Sequence, residues 1–224
     1  MQELKPNEQR AKYAMILIWM MLGFEILSFI SGYLQYELLQ NAKDGIEISL
    51  ARADANDLRE RIINGVNFVV YIVSVVTFIK WFRRAYFNLH IKVKNLSFTE
   101  DSAAKSWFFP ILNLYRPFNI MKELYIETKN ILTKNEISFN QDFSTKYLGF
   151  WWTLWIINNV LGQFIFRLSL NADTIDEFII STKASMISNI IGIPLALLAV
   201  KVIKDYSEVE PLLREINDVE QSIN

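Results

Sequence analysis

The sequence predicts an all-α membrane protein with four transmembrane helices and a cytoplasmic interfacial helix between the second and third spans. Three observations carry that prediction. Hydrophobic residues make up 52% of the chain and charged residues 21%, but the charges collect at 1–12, 43–61, 80–146 and 201–220. The runs between them, about 13–34, 62–82, 148–170 and 179–200, reach the ~20 apolar residues that a helix needs to cross a ~30 Å hydrocarbon core. Of the Lys and Arg residues, seventeen lie in the N-terminus, the segment 80–146 and the tail, against six in the other two polar segments. By the positive-inside rule the richer segments are cytoplasmic. The chain is therefore expected in the inner (plasma) membrane, multi-pass, with both termini inside.

The elements follow in order. The first apolar run exceeds the ~7–15 residues of a signal-peptide core, and no Ala-x-Ala-like site follows it. Leu34, Leu38 and Leu39 prolong its helical period, and Asp44-Gly45 marks a turn. Ser49 to Arg61 reads as a polar helix feeding the second span. On it, Asp54, Asp57 and Glu60 lie three apart, but without an EF-hand's glycine and loop they read as solvated carboxylates, Asp57 pairing with Arg61. A soluble four-helix bundle would need a polar stripe on each helix, and Val69–Ile79 and Ile190–Val200 have none. Trp81 and the Phe150-Trp151-Trp152-x-x-Trp155 cluster suit the inner interface.

Residues 1–204 form the membrane domain in this reading, and 205–224 an acidic amphipathic cytoplasmic tail. Val209, Leu212, Leu213, Ile216 and Val219 recur there at helical spacing, beside six acids and the single base Arg214. An anionic leaflet repels such a surface, so the stripe is expected to meet a protein partner or a second copy. Packing against the chain's own cytoplasmic segment is the alternative.

Between the middle spans, residues 107–127 are apolar and aromatic but too short and too broken to cross. Pro110 suits the first turn of a helix and Pro117 should kink one. Ile111, Leu114, Phe118, Met121 and Tyr125 fall on one face. A kinked helix lying in the headgroup boundary is expected, or one half-inserted among the spans. Arg83-Arg84-Ala85-Tyr86-x-Asn88-Leu89, followed by Trp107-Phe108-x-Pro110-Ile111-x-Asn113-Leu114-x-Arg116-Pro117-x-x-x-Met121-Lys122-Glu123-Leu124, resembles a bacterial membrane-protein family, domain of unknown function 4328. Lys105-Ser106 stands where that pattern has glycine and tryptophan. The resemblance implies a four-span plan and no activity. The motif residues Arg83, Arg84, Tyr86, Asn88, Trp107, Pro110, Asn113, Arg116 and Pro117 are expected to build a platform on the inner leaflet and its anionic headgroups. Asn113 and Arg116 should point into protein, the guanidinium gripping carbonyls or a carboxylate freed by the proline break. Lipid phosphate is the alternative ligand for Arg116.

Candidate chemistry is sparse. Cysteine is absent and His90 is the only histidine, which removes disulfides, thiolate nucleophiles and the usual zinc ligands. A net charge of −1 argues against nucleic acid. No phosphate loop, His-Glu-x-x-His or Gly-x-Ser-x-Gly motif is present, so no catalytic residue, metal or cofactor is expected. Glu25, mid-span, falls at the depth of Asn158, Asn159, Gln163 and Asn189, a set expected to form one polar layer inside the bundle. Such carboxylates mark ion pathways or join helices through hydrogen bonds. The leading expectation is a non-enzymatic interaction or regulatory module at the inner leaflet. The alternative is a small oligomeric channel or proton-linked transporter using Glu25.

Overall fold

The computed structural model describes residues 3–139 and 142–216, and among these the chain is all-α with six helices. They are α1 (Glu8–Lys43), α2 (Leu50–Lys92), α3 (Glu100–Lys105), α4 (Arg116–Lys134), α5 (Lys146–Leu170) and α6 (Ile175–Val209). Short 3-10 turns occupy Ser106–Phe108, Leu112–Leu114 and Glu210–Arg214.

Helix ends follow local chemistry. Gly45, at φ 78°, closes α1 by letting Ile46 N–H reach back to the Asn41 carbonyl at 3.0 Å. Ser49 starts α2, its hydroxyl accepting the Arg52 N–H at 3.4 Å. Thr174 and Glu177 form a reciprocal capping box at the start of α6, with Thr174 N–H on Glu177 Oε2 at 2.9 Å and Glu177 N–H on the Thr174 hydroxyl at 3.3 Å. The polar run after Ser49 is thus helical as expected, and α2 continues unbroken for 43 residues.

Three helices, α1, α2 and the α6 region Ile175–Arg214, are long and apolar enough to cross a membrane. Their apolar windows are covered by protein over only a small share of residues. Phe68 is 65% exposed and Val69 60%. Large apolar side chains so displayed suit a helix that faces an apolar surrounding. α5 has the length, 25 residues, but Asn158, Asn159 and Gln163 lower its hydropathy, and it is not among the three.

The chain divides into two compact units. One comprises residues 1–16, 74–152 and 198–224. Its core is Trp81, Phe82, Tyr86 and Leu89 from α2, Ile120, Met121 and Leu124 from α4, and Ile203 and Tyr206 from α6, all buried. The Tyr125 hydroxyl donates to the Val202 carbonyl at 2.6 Å, and its ring stacks on Phe143 at 4.5 Å. The other unit comprises residues 17–73 and 153–197. Gly32 of α1 packs there against Met186 of α6. Ser31 bonds Glu60, and Arg59 Nε donates to the Ser31 hydroxyl at 2.8 Å. Glu60 is therefore committed to α1, contrary to its reading as a solvated carboxylate.

Two sequence expectations need correction here. Residues 107–127 are not one kinked helix: two 3-10 turns precede α4, and Pro117 lies in its first turn, where the missing N–H costs nothing. Pro110 ends the first of those turns, with Phe109 extended before it at φ −102°, ψ 116°. The tail stripe is not free for a partner or second copy either, because Val209, Leu213 and Ile216 are buried against the chain itself. Val219 and the rest of 217–224 lie outside the described residues.

Candidate functional site

In the first unit the Arg83–Leu89 motif occupies successive turns of α2, and helical spacing assigns each side chain its task. Ala85, Tyr86 and Leu89 face the core. Arg83 faces outward and holds α3 through Asp101 at 2.8 Å and Glu100 at 3.2 Å. Arg84 lies 5.8 Å from the Phe87 ring centre. The Tyr86 hydroxyl donates to Glu123 Oε2 at 2.5 Å, and the Phe98 carbonyl is also near, at 3.2 Å. Glu123 Oε1 accepts the Ser97 N–H at 2.7 Å. One carboxylate thus ties the loop after α2 to both α2 and α4. Burial, then the bond to Glu123, pushes the Tyr86 phenol up, so it remains a donor. His90 is half-buried with its ring edge-on to Tyr86 at 4.9 Å.

Asn88 completes a buried polar clamp. Its Nδ2 donates to the Lys5 carbonyl at 2.9 Å and to Glu210 Oε1 at 2.6 Å, while Oδ1 accepts the Lys5 N–H at 3.0 Å. Asn7 Nδ2 donates to Glu210 Oε2 at 2.9 Å. Glu210 is only 6% exposed, beyond the apolar stretch that ends near Val200. Burial pushes its carboxyl up to about 7, against the two amide donors that favour the charge. Sequence reasoning missed Glu210. The available signal was its position among Tyr206, Val209 and Leu213 on the apolar side of the tail.

The second motif segment presents an apolar wedge. Phe108 is 72% and Ile111 76% exposed, and Phe109, Leu114 and Tyr115 are exposed too. Beneath them, Trp107 packs edge-on to Phe78 at 5.5 Å and Trp152 at 5.8 Å. Trp152 Nε1 donates to the Leu114 carbonyl at 3.1 Å, and its ring stacks on Phe118 at 5.8 Å. The wedge is therefore fixed to the aromatic ends of α2 and α5. Asn113 Oδ1 and Arg116 Nε are buried without hydrogen-bond partners. Among the described residues, Arg116 Nε makes none of the expected bonds to carbonyls or a carboxylate.

In the second unit the five polar residues do not form one layer. Asn189 lies on Glu25; with its amide turned so that both of its polar atoms are satisfied, the nitrogen donates to Oε2 at 3.1 Å and the oxygen accepts the Phe29 N–H at 3.2 Å. Asn158 Oδ1 accepts the Ser188 hydroxyl at 3.0 Å. Asn159 turns back to the Trp155 carbonyl of its own helix at 2.8 Å, and Gln163 is exposed. Helix rotation separates them despite their similar depth. Lys183 lies 5.0 Å from the Tyr36 ring centre, and Lys43 pairs with Asp176 at 2.6 Å.

No group of three or more potential metal ligands occurs among the described residues. No curated protein and no solved structure matches the chain. The family described as Domain of unknown function (DUF4328) matches residues 44–208, which include Tyr86, Asn88 and the whole wedge. That span covers well over half of the sequence, and the chain belongs to this family.

Proposed function

We propose that the chain is a non-enzymatic membrane module whose wedge docks into the inner leaflet and presents the first unit as a regulatory or interaction platform. In this reading all four long helices cross, α5 included, and both termini are cytoplasmic. The distribution of Lys and Arg supports that orientation. The observation that carries the function is the wedge itself. Phe108, Phe109, Ile111, Leu114 and Tyr115 expose apolar surface from a segment anchored by Trp107 and Trp152. Tryptophans at the ends of apolar helices favour headgroup depth, and a wedge held at that depth meets acyl chains. The half-buried Arg116 guanidinium at its base, with Nε unpaired among the described residues, is the donor this reading offers to lipid phosphate.

A nitroxide on Ile111→Cys, in bilayer nanodiscs, tests the docking directly, since the chain has no other cysteine. Collisions with oxygen should exceed those with a water-soluble nickel complex at residue 111 and fall below them at the exposed Lys129→Cys. Equal, water-like accessibility at both positions would refute the reading. A second reading, a small oligomeric channel or proton-linked transporter, is favoured by Glu25, which lies in an apolar helix and has no basic partner among the described residues.

A further inference from the structure

We infer that Glu25, Asn189 and Gly192 form an intramembrane binding site for one neutralising monovalent cation, a proton or an alkali ion. This deepens the second reading above and is independent of the wedge; it rests on α1 and α6 crossing the membrane.

The site is built by shape. A Cβ at Gly192 would stand 2.5 Å from the Glu25 carboxyl carbon and 2.7 and 2.8 Å from its two oxygens. The carboxyl therefore lies flat against the α6 backbone, in a notch that any larger residue at 192 would fill. Asn189, one turn before the notch, covers one side and reaches Oε2 at 3.1 Å. Its other polar atom is taken by the Phe29 N–H. The remaining oxygen of Glu25 has no hydrogen bond among the described residues.

The site is incomplete by charge. No ion pair among the described residues involves Glu25. Residues one turn away, Met21 and Phe29 on α1 and Ser185, Ser188 and Ala196 on α6, carry no charge. Lys183, the basic residue on this part of α6, lies over the Tyr36 ring. One amide hydrogen bond does not compensate a bare carboxylate at the centre of a membrane helix. The described residues supply no counter-charge, and the site draws it from outside them. With one carboxylate and no second acid or histidine to make a multivalent set, that charge is +1. Binding and release of the cation need no change in fold, because the notch is made by backbone.

Dicyclohexylcarbodiimide modifies carboxyls that carry a proton in apolar surroundings, so it reads occupancy on the wild-type chain. Purified full-length protein in detergent, freed of sodium, is treated from mildly acidic to alkaline pH and mapped by peptide mass spectrometry. The expected result is an adduct at Glu25 that falls about tenfold per pH unit once the proton is lost. Protection by sodium, but not by choline, identifies an alkali ion as the occupant; equal labelling in both assigns the proton. Glu25 left unmodified at every pH in the folded protein, while the detergent-unfolded chain labels there, would overturn the inference. Failure of leaflet docking at Ile111 would not affect this readout.

Discussion

Glu210 makes the clamp between the N-terminal segment, α2 and the end of α6 sensitive to pH. Its carboxyl, moved from 4.5 to about 7 by burial, resists ionisation by on the order of 3 kcal/mol at ~1.36 kcal/mol per pH unit. Between those two values the folded state holds a proton that the unfolded chain has lost. Stability must therefore fall as pH rises from 4.5 through about 7, and level off above it. Glu210→Gln keeps the shape and removes the titration. Turning the Asn7 amide lets its Oδ1 accept from the new amide nitrogen, at the cost of the 3.3 Å bond from Asn7 Nδ2 to the Trp81 carbonyl. Thermal melting in detergent, followed by tryptophan fluorescence, reports on the unit through buried Trp81. The wild type should lose several degrees across the window, taking ~2–4 °C per kcal/mol for a chain of this size as the scale. The variant should lose much less across the same window. Parallel pH profiles for the two proteins would refute the assignment of the titration to Glu210.

Other expectations follow from single contacts. Tyr86→Phe leaves Glu123 Oε2 without its 2.5 Å donor and should cost about 1–3 kcal/mol, with faster proteolysis in the loop 93–99. Gly192→Ala should destabilise by roughly 1–3 kcal/mol through overpacking, and Glu25→Ala in the same chain should recover most of that loss. Additive effects in that double-mutant cycle would show that the two residues do not touch. Arg116→Lys should be silent in detergent, within about 0.5 kcal/mol, because Nε has no protein partner. Anionic lipid should then raise the melting temperature of wild type more than that of this variant; equal shifts would remove Arg116 from headgroup binding.

What the sequence disclosed depended on range. The long apolar runs are legible because a membrane helix needs no partner to declare itself: length and lack of charge suffice. The Ser49 start and the Asp44-Gly45 turn were also readable, since caps and αL glycines are local. Pro117 misled because a proline permits either a kink or a helix start, and the 3-10 turns before it leave no periodic trace. Glu123 and Glu210 were invisible for a different reason. Their partners lie 37 and 122 residues away, and a carboxylate looks solvated until the fold closes over it. The proposed polar layer failed because similar depth along helices says nothing about which way each face turns.

The central claim is a chain that crosses four times, with the wedge and both termini inside. Exposed Asp44, Lys94, Asp173 and Lys204, replaced one at a time by cysteine in this cysteine-free chain, report sidedness to a membrane-impermeant maleimide. In intact cells, positions 44 and 173 should label, and 94 and 204 only after permeabilisation. Labelling of 204 from outside, with 173 protected, would mean that α5 does not cross and would contradict the account.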